Sequence, residues 1–242
     1  MAEKIVSPGV FTRENDLSFL PAGIGEIGAA IVGPTVKGPV LVPTTVSTFA
    51  EYVEKFGDTF ESGSDSYQFL TSHTAERYLE FGGALTVVRI AGQNFSVASA
   101  SVATSSLAGG TDPSADGISF KLHTLSHGAL LNNSGSIGSN QLLAEGTKDN
   151  IRYEITGKNN STGTFNLLIR RGDDTNNNKI ILEQFNQVSL DPNQPNYIAK
   201  AVGDSYFQVQ GSGTADPYIQ AVGDYEARSS FVRVEVIKQT IN

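Results

Sequence analysis

A mixed α/β fold with a β-rich second half is what this sequence predicts, on three observations. A strand of small and branched residues at Ile27–Val32 is answered by another at Leu85–Ile90, with two helical periodicities between them. Beyond residue 117 the pattern turns to short apolar alternations punctuated by Gly, Asn, Asp and Ser. The 242 residues include 25 glycines and only 39% apolar residues, which suits a turn-rich globular chain and not a helical bundle.

Residues 1–20 read as an extended N-terminal arm. Pro8 has no N–H and fixes φ at an extended value, and Gly9 lets neighbouring backbone approach. Val6, Ser7, Pro8, Gly9, Val10, Phe11, Thr12, Arg13 and Glu14 therefore form a short strand with no local partner. Such a strand is expected to pair with an exposed sheet edge on another subunit. Leu17, Phe19 and Leu20, ahead of Pro21, are apolar enough to staple the arm to a surface.

Residues 21–91 are expected to form the α/β part. Pro34 stops the Ile27–Val32 strand, and Val40–Pro43 is a short extended piece. Thr48 and Glu51 make a capping box, and Phe49, Tyr52, Val53 and Phe56 line one face of the helix that Gly57 ends. A second helix is expected from Ser64 or Asp65 to Phe81, ended by Gly82-Gly83. Strand, two helices, strand is a crossover β-α-α-β unit, so Ile27–Val32 and Leu85–Ile90 should lie side by side and parallel.

Residues 92–117, rich in Ser, Ala, Gly and Thr, read as a flexible connection. The β-rich part, 118–237, should hold strands at Ile118–Leu125, Ile151–Thr156, Phe165–Arg171, Ile180–Phe185, Tyr206–Gln210 and Phe231–Ile237. A short helix is expected over Pro195–Val202, and Gly172–Asn178 should be a solvated hairpin loop. The loops at 132–140 and 173–178 lack periodic apolar positions and belong on a surface.

Ser7-Pro8-Gly9-Val10, then Gly33-Pro34, Gly38-Pro39, Pro43 and Phe56-Gly57, resemble the N-terminal and middle region of contractile tail sheath proteins of bacteriophages and related injection machines. The match covers roughly residues 6–91 and weakens beyond. It implies a virion structural subunit, assembled in the host cytoplasm as a homo-oligomeric helical sheath around a tail tube, that shortens to drive the tube through a host envelope for genome ejection. It also implies tube and baseplate contacts through a C-terminal domain that nothing after Val236 supplies, so 238–242 is expected to be a truncated link. The alternative is a virion surface or carbohydrate-binding β-rich domain, and a third reading is a nucleotide-dependent α/β enzyme.

The formal net charge is −8 and no basic run exceeds Arg170-Arg171, which argues against a nucleic-acid partner. With no cysteine, neither a disulfide framework nor a thiolate metal site is possible. No apolar run approaches the ~18 residues of a membrane span, so membrane insertion is not expected.

No catalytic residue, metal site or cofactor is assigned, and each candidate has a plainer reading. Gly23-Ile24-Gly25-Glu26-Ile27-Gly28 matches G-x-G-x-x-G, but the strand follows the glycines instead of preceding them, which suits a hinge. His123 and His127 sit in an alternating stretch with no neighbouring Glu, as a surface pair beside a turn. Asp173, Asp174 and Asn176–Asn178 lack the central Gly and distal Glu of a calcium loop. Gly211-Ser212-Gly213 lacks the spacing of a nucleophile elbow.

Overall fold

The computed structural model describes residues 28–62, 64–92, 95–104, 107, 117–128, 142, 146–211 and 216–239. The arm Val6–Glu14, most of the Gly23–Gly28 stretch and the 132–140 loop lie outside the described residues. The chain is strand-rich with few helices, distributed over several small sheets, a mixed α+β architecture.

In the first half, β1 (Ala29–Gly33) pairs in parallel with β5 (Leu85–Arg89), and β2 (Thr44–Val46) lies antiparallel on the other side of β5. Val40 bridges Arg89 in parallel, while β2 runs the opposite way. The reversal passes through Leu41 at φ 62, so the extended piece expected at Val40–Pro43 is broken by a bend after Val40. Helix α1 (Phe49–Phe56) begins as its cap dictates: Glu51 N–H donates to Thr48 Oγ1 at 3.2 Å. The Glu51 carboxylate accepts from Ser47 N–H at 2.9 Å, one residue earlier than a standard capping box. Gly57, at φ 73, closes the helix with its N–H on Val53 C=O.

The second helix does not start at Ser64 or Asp65. Residues there form a hairpin, β3 (Thr59–Ser62) against β4 (Asp65–Gln68), and α2 covers Leu70–Glu80 only. The reason is aromatic: Phe60 stacks on Tyr67 and on Phe69 at 5.8 and 4.8 Å, a cross-strand cluster that outweighs the helical spacing of the sequence. Helices α1 and α2 cover one face of the β1-β5-β2 sheet, where Tyr52, Phe56, Ala75, Leu79, Leu85, Val87 and Val46 form a core.

The second half is two three-stranded antiparallel sheets with one core between them. One sheet orders β13 (Val232–Val236), β7 (Ile118–His127) and β6 (Val97–Ala103); the other orders β10 (Ile181–Ser189), β9 (Thr164–Arg171) and β8 (Ile151–Asn159). Phe120 from one stacks on Phe165 from the other at 5.8 Å. A short helix, α3 (Ile198–Val202), adds Ile198 and Val202 to that core; it begins three residues later than the expected Pro195. A two-stranded ribbon pairs β11 (Tyr206–Gln210) with β12 (Tyr218–Val222), a strand the sequence pattern did not announce.

Strand β6 corrects the flexible connection assigned to 92–117. Its Ser/Ala composition has little apolar signal, yet Val102 is buried and the strand pairs along β7 with two register shifts. Small residues permit the close pairing that composition alone reads as a linker. Among the described residues no helix is long and apolar enough to cross a membrane.

Candidate functional site

The residues of the Gly-Pro motif converge on one place, the joint between the two halves. Gly33 ends β1 and its C=O accepts from Ile90 N–H at 3.0 Å; a Cβ there would collide with the Thr71 hydroxyl of α2. Gly38 has φ 112, and a Cβ on it would lie 2.6 Å from the Phe56 ring. Gly57 is similarly closed, with Val36 at 2.8 Å from its absent Cβ. Lys37 N–H donates to Phe56 C=O at 3.0 Å, so the 34–40 loop is strapped to the end of α1. Pro34 and Pro43 are exposed and Pro39 half-buried at the bends of this strap. Glycine is required here by close approach, which ties the motif to packing.

The strap also holds the second half. Gly38 N–H donates to Ser126 Oγ at 2.6 Å, Val40 N–H to His127 Nδ1 at 3.1 Å, and His127 N–H to Gly38 C=O at 3.1 Å. Arg89 lies beneath them, 9% exposed, its Nη1 donating to Gly38 C=O at 2.6 Å and to His127 C=O at 2.7 Å. One guanidinium thus joins carbonyls from both halves. Burial pushes the Arg89 pKa down, and burial followed by the Arg89 charge pushes His127 down. A neutral His127 is what the geometry needs, because its Nδ1 accepts from Val40.

Beside the joint opens a cleft of ≈ 1160 Å³, lined among others by Leu41, Phe95, Leu125, Phe207 and Phe231 and by the charged Lys37 and Asp149. Burial lowers Lys37, opposed by Asp149 and Glu54; burial raises Asp149, opposed by Lys37 and Lys148. On the α1 side, burial pushes the Tyr52 phenol up to about 12, its hydroxyl buried without a hydrogen-bond partner among the described residues while the neighbouring Ser72 hydroxyl donates to Asp58.

The two histidines are not a surface pair. His123 sits mid-strand with its side chain 14% exposed and its Nε2 2.8 Å from Glu235 Oε2; His127 is half-buried in the joint, edge-on to Phe95. That hydrogen bond holds the Glu235 carboxyl below its ordinary range. Glu235 comes from β13, 112 residues away, so the local sequence offered no sign of it.

The Gly172–Asn178 loop does join β9 to β10, but it is not a solvated tip throughout. Asn176–Asn178 are exposed, whereas the Asp174 side chain has no exposure. It accepts from Arg170 Nε and Nη2 at 2.6 and 2.8 Å, from Arg152 Nη1 at 3.2 Å and from Ile180 N–H at 3.0 Å. Its oxygens are committed to arginines, which answers the calcium reading. The Arg170-Arg171 pair that closed β9 in the sequence was the available signal for an internal carboxylate. Of the Gly23–Gly28 stretch, Gly28 alone is among the described residues, and it lies just before β1.

No family model matches the chain. No curated protein matches it either.

Proposed function

We propose that this chain is a structural subunit, or the N-terminal portion of one, of a contractile tail sheath. The observation that carries the reading is the role of the motif on which the resemblance rests. Gly33, Gly38 and Gly57 are sites where a side chain does not fit, and Arg89 spends its charge on backbone carbonyls of both halves. That is chemistry for making a stiff body, suited to a subunit that moves as a unit. The parallel β1–β5 pair with its helices corresponds to the layout the resemblance implies for a sheath middle domain.

In this reading, copies of the chain stack helically around a tube, and arms from one copy add strands to neighbours. Main-chain pairing is tolerant of sequence and survives rotation of whole subunits, where a side-chain lock would break. The work of contraction is held in the assembled lattice and needs no bound nucleotide.

Deleting residues 1–20 tests it. The truncated chain should fold with an unchanged melting temperature, and the same deletion in the full-length protein should abolish tubular polymer seen by electron microscopy. A truncated protein that still forms ordered tubes overturns the proposal. A second reading, a glycan-binding virion surface domain, draws on the exposed Phe207 and Tyr218 of the β11–β12 ribbon. A glycan screen with no saturable binder removes it.

A further inference from the structure

The joint is closed by a neutral imidazole set beside a buried arginine, and we infer that it is an acid-operated switch: protonation of His127 frees the 34–40 strap and lets the two halves move apart while each keeps its own fold. Such a switch belongs to the two halves themselves and stands whether or not the chain builds a sheath.

The halves are arranged to separate. Their hydrophobic clusters share no residue, and the ≈ 1160 Å³ cleft is lined by Lys37 and Leu41 from the first half and by Leu125 and Asp149 from the second. The chain passes between the halves once, after β5, so non-covalent contacts set their disposition. The hydrogen bonds that cross the joint gather on the strap: Gly38 N–H to Ser126 Oγ, Val40 N–H to His127 Nδ1, His127 N–H to Gly38 C=O, and Arg89 to the Gly38 and His127 carbonyls. Away from them, Lys148 Nζ donates to Thr59 Oγ1 at 2.7 Å. Val40 and Val42 are buried but belong to neither cluster.

One proton acts on this set twice. On protonation Nδ1 turns from acceptor to donor, so it would meet the Val40 N–H donor to donor. The second effect is charge. Arg89 is already a buried cation whose bonds go to carbonyls, whose Nε has no partner among the described residues, and on which no carboxylate acts there. An imidazolium beside it would place two like charges together in a half-buried site, and either separation or hydration relieves that.

Nothing nearby offsets the new charge. From the strap, Lys37 is a further cation, and the cleft carboxylates Asp149 and Glu54 act on it. Asp58, also in the cleft, accepts from Gln68 and Ser72, and Arg233 lies over the Tyr206 ring. Phe95, edge-on to the imidazole, and Val97 of β6 bring no charge. On β7 itself, His123 is engaged by Glu235. Burial and the Arg89 charge hold His127 below its ordinary value in the closed form, so the open form takes up the proton first as the pH falls.

Because the protein has no cysteine, a label pair can be placed cleanly, with Arg77→Cys on α2 and Lys158→Cys on β8, both exposed. Spin labels on the two sites should give one narrow distance at about pH 7.5 and a second, growing population at about pH 5.5, with far-ultraviolet circular dichroism unchanged. The open-to-closed ratio should rise by up to about ten-fold per pH unit, the limit for uptake of one proton. His127→Asn, which keeps an acceptor for Val40 without titrating, should hold the narrow distance in acid, and His123→Asn should leave the transition in place. In the unsubstituted chain the His127 ring resonances, among only three histidines, should titrate together with the distance change, a readout that survives if His127→Asn does not fold. A distance unchanged in acid, a transition that persists in His127→Asn, a ring titration separate from the distance change, or loss of the dichroism signal along with the distance overturns the switch.

Discussion

The two halves of this protein close their cores by different means. The second half sandwiches Phe120, Leu122, Leu167, Ile169 and Val234 between two sheets and plugs the end with α3, so its core is enclosed by its own strands. In the first half, two short helices cover one face of a three-stranded sheet, and among the described residues nothing covers Val32 and Ile90 on the other. What the first half lacks in layers it recovers at the joint, through the 34–40 strap and Arg89. Enclosure makes one half self-sufficient; the other is completed by hydrogen bonds to its neighbour.

The largest test of that contrast is Asp174→Ala. It would leave Arg170 and Arg152 buried without their carboxylate, a loss of about 3–5 kcal/mol by the usual cost of breaking a buried pair. Urea unfolding should show it as one shifted transition, since the network lies on the sheet that encloses the larger core. A shift under about 1 kcal/mol, the range of surface pairs, would mean that the second half does not depend on its polar cluster.

Gly38→Ala comes next. The positive φ and the collision with Phe56 should cost about 1–3 kcal/mol, the range for local backbone strain. Hydrogen exchange should then speed up first in β1, β2 and β5, while β8 and β9 keep their protection. Uniform loss across both halves would make them a single cooperative unit and end the contrast.

Acidification probes the joint alone. His127 is held below its ordinary value in the fold, so the unfolded chain takes up the proton first; stability is fully present above about pH 6.5 and falls as the pH drops toward the folded value. The Arg89 charge facing it adds to this. Melting temperature should decline between pH 7 and 5, and His127→Asn, which keeps an acceptor without titrating, should flatten that decline. Glu235 acts in a lower window: its folded pKa is depressed, so its contribution is present above its unfolded value and lost as the pH falls through the folded one.

The smallest effect is expected at the exposed end of the β9–β10 loop. A six-residue insertion after Asn177 should change stability by no more than about 0.5 kcal/mol, as for surface changes away from special features. The same insertion after Asp174 should behave like its loss. Equal tolerance at both points would contradict the buried carboxylate.

Much of this architecture was legible where a signal is local. Thr48 with Glu51 and Gly57 marked α1 at both ends, and alternation placed β7, β8, β9 and β11 closely. Signals failed where a distant partner decides. Residues 65–68 have helical spacing but become β4 because Phe60 is opposite, and the Ser/Ala run of β6 is a strand only because β7 pairs with it. The joint was half-visible: Gly33, Gly38, Pro39 and Gly57 were singled out, whereas Arg89 read only as one residue within the Leu85–Ile90 strand. Its partners are the backbone carbonyls of Gly38 and His127, and a carbonyl leaves no trace in a sequence.

Arg89 also sets an order on synthesis. Its acceptor at Gly38 precedes it by 51 residues and its acceptor at His127 follows by 38. At roughly 5–20 residues per second the ribosome delivers the second acceptor about 2–8 s after the arginine. During that interval only one of the two carbonyls that Arg89 holds in the fold, that of Gly38, has been made. The order of synthesis therefore makes residues 126–127 the last part of the latch to be delivered.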